Sequence, residues 1–353
     1  MIVKPGNPYQ LELFFKLPET IYHDDPNWVR PLVGSNINSF REAKRLIGHI
    51  DMELFLALDN SEPLGRAALF IDKRHNKIHQ ETTAFFGFFE CADDKATSLE
   101  LLNAIERSAL EKGMNKIVGP VDFTMNYQGG LLINGFNRPT VMTPYNREYY
   151  PRLVEEAGYR KAVDLYAYLV TKEASIPERA CKIERIVRKR YPDLSVKPLT
   201  NITNFRRSGI LKKVYNEAFA DTWGFVPMTG PEFSNLVTGL SCLKHLDLNY
   251  VAFSGNVPVG LLLTVPDLYS VKGLNSRNRL RLTVIGVIPA FRGKGIESMM
   301  GVQALNEAKS RGYDEVEFSV IFDNNTAMNN LIAREFGLEV SRTFRVYQKD
   351  LDL

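Results

Sequence analysis

The two halves of the chain repeat the same order of predicted elements, and this repeat constrains the fold more than any other feature. Each half opens with two apolar, β-rich runs around a polar turn, at residues 53–71 and 249–265, a pattern typical of a hairpin. A strand, a helix, a terminating glycine and another strand follow in each half. Residues 149–170 and 329–351 close the halves alike, with a helix, a glycine and a final strand. The shared order predicts a duplicated α/β unit with a mixed sheet.

A basic segment separates the two halves. Residues 171–191 carry apolar residues at helical spacing among Arg and Lys, and Pro192 ends the pattern. The sequence therefore predicts a first domain over residues 1–170, a linker helix over 171–195 and a second domain over 196–353. We interpret the helix as a linker that docks by one apolar stripe. The alternative interpretation is a basic amphipathic helix on an anionic membrane surface.

The segment VIPAFRGKGIE at residues 287–297 carries the clearest chemical signal. It lies where a predicted strand is followed by a helix. Gly293 and Gly295 let the backbone approach a ligand closely, and the helix directs its first N–H groups and its dipole to the same place. Arg292 and Lys294 add positive charge. The segment predicts an anion site that suits a pyrophosphate, although neither GxxxxGK[ST] nor GxGxxG occurs.

Residues 249–353 resemble a GNAT-fold (Gcn5-related) N-acyltransferase domain. The resemblance rests on VIPAFRGKGI, on the helix that ends at Gly312, and on EVEFSVIFDNNTAMNNLIAREFGL. The loop is similar to the Arg/Gln-x-x-Gly-x-Gly/Ala coenzyme A signature of this family, with Arg292 and Gly295 in the first and fourth places. Glu297 stands in the sixth place, where the family has Gly or Ala, and its carboxylate would repel a phosphate.

The resemblance extends over most of residues 9–350, to tandem GNAT proteins related to bacterial ceramide synthase. It rests on FFKLPETIYHDDPNWVRPL, TAFFGFFECADD, GPVDFTMNYQGGLLINGF, MTPYNREYY and TWGFVPMT. It implies an α/β fold of two tandem GNAT-like domains, in which a long-chain acyl-CoA donates its acyl group to the amine of a sphingoid base. The first half lacks an Arg-x-x-Gly loop and has acidic residues at the equivalent junction. We therefore expect a degenerate first domain that has lost the coenzyme.

The resemblance also implies which residues hold the co-substrate, either acetyl-CoA or a long-chain acyl-CoA. The strand before the loop would bind pantetheine, and the N–H of Val287 or Ile288 would polarise the thioester. Asn325 resembles an Asn that contacts pantetheine, and it suits a helix cap equally well. The expected coenzyme-binding residues are Val287, Ile288, Arg292, Gly293, Lys294, Gly295, Ile296 and Asn325.

The general base is less clear from the sequence. The strand RLTVIGV offers no carboxylate, so the candidates are Glu317 on the next strand and Asp323 just beyond it, with Asp267 and Glu232 on loops. With Val287, Glu317 and Asp323 form the predicted catalytic set. A carboxylate between two covered sheet faces is costly unless it is paired or functional. The alternative for Glu317 is a solvent-facing or salt-bridged strand residue.

Three residues are candidates for contact with the acceptor. Asn126 precedes paired glycines, Tyr145 lies in an aromatic-rich segment of the first half, and Trp223 lies in the segment that the resemblance places near the acceptor. The alternatives are a turn residue, a core aromatic and an ordinary packed turn. The 5 histidines show no metal-ligand spacing, so we expect no metal.

The composition limits the partners. The net charge of +3, from 44 basic and 41 acidic residues, is too balanced to indicate nucleic-acid binding. The 3 widely spaced cysteines favour a reducing compartment, and neither a leader-like apolar run nor an apolar run of about 18 residues appears. We expect a cytoplasmic protein, with peripheral contact to the inner membrane face if the basic helix binds lipid.

Three functions are compatible with the resemblance. The favoured one is a CoA-dependent N-acyltransferase whose catalytic domain is the second. The alternative is a non-catalytic tandem GNAT module that holds acyl-CoA or a lipid. A transferase that uses aminoacyl-tRNA would call for a basic groove or an inserted helical arm after residue 191, and the sequence contains no such insertion.

Overall fold

The structure is a computed structural model, and the chain divides into two compact units. It describes residues 1–31, 35–243, 245–269 and 278–352. Unit 1 comprises Met1–Tyr166 together with Arg342–Leu353, and unit 2 comprises Ala167–Ser341.

The elements alternate between strands and helices along the chain. The strands are β1 (Ile2–Val3), β2 (Ile50–Asp59), β3 (Glu62–Asp72), β4 (Thr83–Cys91), β5 (Lys116–Gly119), β6 (Val121–Asp122), β7 (Gln128–Gly129), β8 (Leu131–Asn134), β9 (Arg160–Thr171), β10 (Leu194–Pro198), β11 (Tyr250–Ser254), β12 (Val257–Pro266), β13 (Arg279–Val287), β14 (Glu315–Phe322) and β15 (Arg342–Asp350). The helices are α1 (Pro8–Ile21), α2 (Ile37–Leu46), α3 (Lys73–His79), α4 (Lys95–Glu111), α5 (Tyr150–Glu156), α6 (Glu178–Arg190), α7 (Asn204–Ala218), α8 (Gly230–Cys242), α9 (Ile296–Ser310) and α10 (Thr326–Glu335).

The sheet of unit 1 has the order β1-β2-β3-β4-β5-β15, with β15 also beside β8 and β9. Strands β2, β3 and β4 are antiparallel neighbours, whereas β4 and β5 are parallel and are joined through α4. Leu101, Leu102, Ile105 and Ala109 of α4 are completely buried in the main core of the unit. Their helical spacing presents one apolar face to the sheet.

The sheet of unit 2 has the order β14-β13-β12-β11-β10, with β9 beside β14. Strands β11, β12 and β13 are antiparallel, and β13 runs parallel to β14 through α9. A Cβ on Gly286 would touch Phe219, next to α7, and a Cβ on Gly260 would touch Met300 of α9. Because Gly260 lies opposite Val287, α7 and α9 cover opposite faces. The predicted duplication of a mixed α/β unit is confirmed.

The last strand differs from the expected arrangement. The sequence suggested that residues 342–353 close the second domain, but β15 pairs with β5, where Tyr347 lies opposite Gly119, and with β8. Both partners belong to unit 1. The pairing satisfies backbone groups that would otherwise form an exposed edge of the first sheet. Periodicity places a strand here but cannot tell which sheet it joins.

The basic linker helix α6 belongs to unit 2, where it packs against α9. Its buried residues, Ala180 and Val187, lie on the apolar stripe that the spacing predicts. Ile186 is 51% exposed on the other side. Among the described residues, no helix is both long enough and apolar enough to cross a bilayer.

Candidate active site

Strands β13 and β14 diverge toward their carboxyl ends. They pair over only four positions, the last being Leu282 opposite Phe318, although β13 continues to Val287 and β14 to Phe322. Over the same stretch β13 remains paired with β12, and Val287 lies opposite Gly260. The gap between the diverging ends of β13 and β14 is called the wedge below.

An extra residue in β13 accompanies this divergence. Val284 and Leu282 lie opposite consecutive residues of β12. Thr283 between them therefore bulges, and its hydroxyl donates a hydrogen bond to the Leu263 carbonyl at 3.1 Å. Because a bulge bends its strand and increases the local twist, it helps to turn the end of β13 away from β14.

The peptide N–H of Val287 points toward the wedge. Opposite residues of an antiparallel pair alternate between hydrogen-bonded and non-bonded. The Ile288 N–H donates to the Val259 carbonyl at 2.9 Å, so that pair is the bonded one. Val287, one residue earlier, directs its N–H away from β12. Of the two amides that the resemblance left open, Val287 is the one oriented to polarise a thioester.

Two glycines shape the turn between β13 and α9. Gly293 and Gly295 have φ values of +72° and +79°, in the left-handed region that glycine adopts readily. Gly295 is the N-cap of α9, and no side chain of the described residues caps this helix. The Ile296 side chain is completely buried, so this residue offers its peptide N–H. The first amides of α9 and the positive end of its dipole face the turn, which suits an anion.

The two cations of the turn behave differently. The guanidinium of Arg292 donates to the Ala218 carbonyl at 2.9 Å and lies 3.2 Å from the Asp221 carboxylate, so much of its bonding capacity is used to fix the turn against the end of α7. The ammonium of Lys294 lies 4.1 Å from the centre of the Phe291 ring. Lys294 therefore keeps its charge at the turn itself.

Helix α6 covers Gly295. A Cβ built on this glycine would lie 2.6 Å from Ile183 Cγ2 and 2.9 Å from Val187 Cγ2. A side chain at position 295 would therefore displace α6, so a substitution of Gly295 would not test coenzyme binding alone. A Cβ on Gly293 meets nothing within 4 Å, so this position accepts a side chain.

Glu297, in the first turn of α9, departs from the family signature. Burial raises the pKa of this carboxyl above its usual value. A carboxyl with a raised pKa takes up a proton at lower cost when a phosphate approaches. The like-charge repulsion that the sequence suggests is correspondingly weaker.

Glu317 lies at the closed end of the wedge. It is completely buried, accepts a hydrogen bond from the Ser319 hydroxyl at 2.6 Å, and lies 3.9 Å from the Arg279 guanidinium. Arg281 lies opposite Glu317 in register and donates to the same Ser319 hydroxyl at 2.9 Å. The carboxylate is thus part of a buried ion network, an arrangement in which loss of one partner is strongly destabilising.

Asp323, Asn325 and Trp223 lie near the open end of the wedge. Asp323 directly follows β14, and the Trp223 ring lies 6.3 Å from the ring of Phe322, the last residue of that strand. Because β13 and β14 are parallel, their carboxyl ends lie at the same edge of the sheet, so this set lies at the same edge as Val287. The Asn325 side chain accepts the Met328 N–H at 3.2 Å and caps α10.

Asp267 follows β12, whereas Glu232, which the sequence places on a loop, lies in the first turn of α8, and both carboxylates have structural partners. Glu232 completes a capping box with Thr229 at the start of α8, and Asp267 accepts the Tyr269 N–H at 3.2 Å. Within the described part of the chain, no group of three or more His, Cys, Asp or Glu side chains could hold a metal ion.

Unit 1 differs from unit 2 at the positions that correspond to the turn and the wedge. The carboxylate of Asp94 caps the start of helix α4, where it accepts the Thr97 N–H at 3.0 Å. Where β4 leaves β5, the Asp122 carboxylate accepts the Phe88 N–H at 2.7 Å, and a Cβ on Gly87 would lie 2.3 Å from the Val121 carbonyl. The counterparts of the turn and of the wedge are therefore occupied by the chain itself.

The other two acceptor candidates lie in unit 1. The Tyr145 hydroxyl donates to Asp25 at 2.9 Å, and burial together with this carboxylate raises its pKa to about 12. The Asn126 N–H donates to the Thr124 hydroxyl at 3.2 Å. Each of these residues has a local partner within unit 1.

Tyr191, at the end of α6, lies beside the turn, and the sequence did not single it out. Its ring centre lies 5.8 Å from the Lys294 ammonium. The available signal was an aromatic residue at the end of a basic helix, but nothing in the sequence shows that this helix packs against α9.

Solved structures share the fold over the whole chain. A tandem GNAT protein from the clavulanic acid biosynthesis pathway has a TM-score of 0.58 at 8% identity and covers 100% of this chain and 99% of that chain. A GCN5-related N-acetyltransferase from Sphaerobacter thermophilus has a TM-score of 0.54 at 14% identity, with 100% and 96% covered. At such identities the likeness shows the fold alone.

Sequence comparison adds the family. Residues 204–338 match the Acetyltransferase (GNAT) family. The chain is 28% identical over 382 residues to the bacterial ceramide synthase of Caulobacter vibrioides, covering 99% of this chain and 97% of that protein. It is 27% identical over 370 residues to Protein YghO of Escherichia coli (strain K12), with 98% and 94% covered. This chain is a tandem GNAT-fold acyltransferase. The predicted fold class and acyltransferase activity are confirmed, and the match to the GNAT family covers residues 204–338.

In this acyltransferase the matched family segment includes β13, the turn and α9, whereas α6 and Tyr191 lie outside it. Acyl-CoA is the co-substrate of the fold, and an amine is the acceptor. The wedge and the uncapped start of α9 therefore lie in the unit that carries the family's chemistry.

Proposed function

We propose that this acyltransferase moves a long-chain acyl group from a CoA thioester to the primary amine of a sphingoid base. The main support for acyl transfer is that the wedge and the turn adjoin each other along the chain. The N–H of Val287 faces the wedge, and the uncapped first turn of α9 follows a few residues later. A pantetheine arm along β13 would then reach Val287 with its thioester carbonyl while its pyrophosphate lies on α9.

The chemistry needs few side chains. The amine nitrogen attacks the thioester carbonyl carbon, the C–S bond breaks, and the thiolate leaves and takes up the proton that the nitrogen loses as the amide forms. A donor such as the Val287 N–H stabilises the oxyanion, and donors of this kind contribute about 100-fold to 1000-fold in rate. The attacking ammonium must first lose a proton. We place this proton on Asp323, because it follows the open end of β14, whereas Glu317 is held in a buried ion network at the closed end.

Two observations support a lipid amine as the acceptor. The relative from Caulobacter vibrioides carries the name bacterial ceramide synthase and is similar over nearly its whole length. Trp223 and Phe322 place two aromatic rings at the open end of the wedge, where an apolar chain would find contact area.

If the acceptor is a lipid, the protein must reach a membrane, and helix α6 offers a surface for that contact. We propose that its outer face contacts an anionic membrane, and that the protein works in the cytoplasm with this peripheral contact. Lys182, Arg185 and Lys189 surround the exposed Ile186 on that face. Clustered cations around an apolar side chain are typical of helices that bind anionic lipid surfaces.

The direct test is thiol release by the purified full chain, with the product identified by mass spectrometry. Palmitoyl-CoA and acetyl-CoA are each combined with sphinganine and with spermidine. We expect the N-acyl sphinganine from palmitoyl-CoA to form fastest. Transfer of acetyl groups to spermidine alone would contradict the lipid assignment, and CoA binding without any transfer would favour the non-catalytic module.

An Asp323→Asn variant tests the assignment of the base. We expect kcat to fall by about 100-fold, the lower range for loss of a general base, with little change in KM for palmitoyl-CoA. Asp221, on the exposed side of the Arg292 guanidinium, provides a comparison, because Asp221→Asn removes a carboxylate from the same unit. Equal kcat values for the two variants would contradict the role of Asp323.

A further inference from the structure

A cluster of two aromatic rings and two cations lies beside the turn. The Lys294 ammonium is 4.1 Å from the centre of the Phe291 ring and 5.8 Å from that of Tyr191. The Arg190 guanidinium is 5.6 Å from the centre of the same Tyr191 ring. Both rings are half-buried, so each keeps surface that a ligand can contact. These four residues are called the Tyr191 cluster below.

The charge of the Tyr191 cluster is not balanced by carboxylates. Among the described residues, neither Arg190 nor Lys294 forms an ion pair with Asp or Glu. Both cations approach one tyrosine ring, next to a helix end that is itself positive. Like charges gathered in this way repel one another unless an anion binds among them.

We propose that the Tyr191 cluster binds the 3′-phosphoadenosine end of coenzyme A, an inference that rests on the proposed function of the turn. Lys294 directly precedes Gly295, the residue at which α9 begins. One ribose connects the 3′-phosphate of CoA to its pyrophosphate, so the two anionic groups must bind close together. A phosphate monoester beside Lys294 and Arg190 meets this requirement.

The two rings suit the remaining part of the ligand. An adenine has two flat π-faces, and stacking on an aromatic side chain contributes appreciably to nucleotide binding. Tyr191 and Phe291 supply two such rings near the Lys294 ammonium. The cluster therefore combines an aromatic platform with cations for a phosphate.

Part of this subsite comes from outside the catalytic domain. Arg190 and Tyr191 end the linker helix and precede the matched segment 204–338. The contact between α6 and Gly295 holds this end of the linker beside the turn. The linker would thus select a complete CoA over a carrier that has pantetheine but lacks the 3′-phosphate.

The test compares CoA with 3′-dephospho-CoA by calorimetry, using the full chain. We expect the wild type to bind CoA about 10-fold more tightly, since a charge-assisted phosphate contact contributes roughly that factor. In Lys294→Gln this ratio should fall to about 2 or less. Lys213→Gln is the matched control, because it removes one exposed lysine charge from α7, on the other face of the sheet, and should keep the ratio.

Tyr191→Ala and Tyr191→Phe separate stacking from folding. The alanine variant should bind both forms several-fold more weakly, and the phenylalanine variant should restore both affinities. A ratio near 1 in the wild type, or unchanged CoA affinity in Tyr191→Ala, would overturn the assignment of the cluster. If the wild type bound neither CoA nor dephospho-CoA, the proposed function itself would fail.

Discussion

Replacement of Gly293 by aspartate or asparagine isolates the electrostatic contribution of the turn. A Cβ at this position meets no atom within 4 Å, so either side chain fits. The φ of +72° is strained for most residues, but Asn and Asp enter the left-handed region more readily than other L-residues. The two side chains have nearly the same shape and differ by one negative charge. The backbone strain is therefore common to both variants and cancels in their comparison.

The size of the effect follows from Coulomb's law. Because the position is open, the appropriate dielectric constant is close to that of water. A carboxylate about 5 Å from a pyrophosphate with about two negative charges weakens the binding free energy of CoA by about 1.7 kcal/mol, or about 15-fold in affinity. We expect Gly293→Asp to bind CoA about 15-fold more weakly than Gly293→Asn. A melting temperature equal in the two variants would show that the fold does not cause the difference.

Calorimetry at two salt concentrations completes the test. The Debye length falls from about 8 Å at physiological ionic strength to about 3 Å at 1 M salt, so the difference between the variants should shrink to a few-fold. Equal CoA affinities of the two variants at low salt would refute the placement of the pyrophosphate at this turn.

Three further predictions concern other parts of the chain. Glu317→Gln should lower the free energy of unfolding by about 2 kcal/mol, because it weakens a buried charge-assisted network, and chemical denaturation measures this; unchanged stability would argue against a structural role. Burial lowers the pKa of His245 from 6.5 to about 4, so the unfolded chain takes up this proton first and stability falls as the pH drops between these values. The loss is at most about 3 kcal/mol, and His245→Asn should flatten the pH dependence of unfolding in that window; an unchanged slope would contradict the burial argument. Ile186→Asp should reduce flotation with vesicles that contain phosphatidylglycerol, relative to wild type and to Lys213→Gln, whereas equal flotation would exclude α6 as the membrane contact.

The sequence was sufficient for the parts of the site that depend on local chemistry. Glycines with positive φ, an adjacent helix start and nearby cations are visible in RGKG, and the structure shows the two glycines in that conformation. The paired hairpins and crossover helices follow from periodicity and turn residues. These features involve contacts between residues close in the chain, which is why they could be predicted.

The remaining features depend on contacts between distant residues. The orientation of Arg292 toward Ala218, the cover that α6 places on Gly295 and the bulge at Thr283 each require knowledge of which elements are neighbours. Glu317 illustrates the limit well. Alternation along the strand shows which face the carboxylate takes, but only the parallel register identifies Arg281 as its neighbour.

The placement of β15 links the order of synthesis to the order of folding. The ribosome makes most of unit 1 before unit 2, yet the strand that pairs with β5 emerges only after all of unit 2 has been made. Until then the nascent chain carries an uncovered strand edge, the kind of surface on which aggregation begins. Pairings between residues so far apart in sequence also form slowly. A truncation that removes β15 would therefore damage the part of the protein that was translated first.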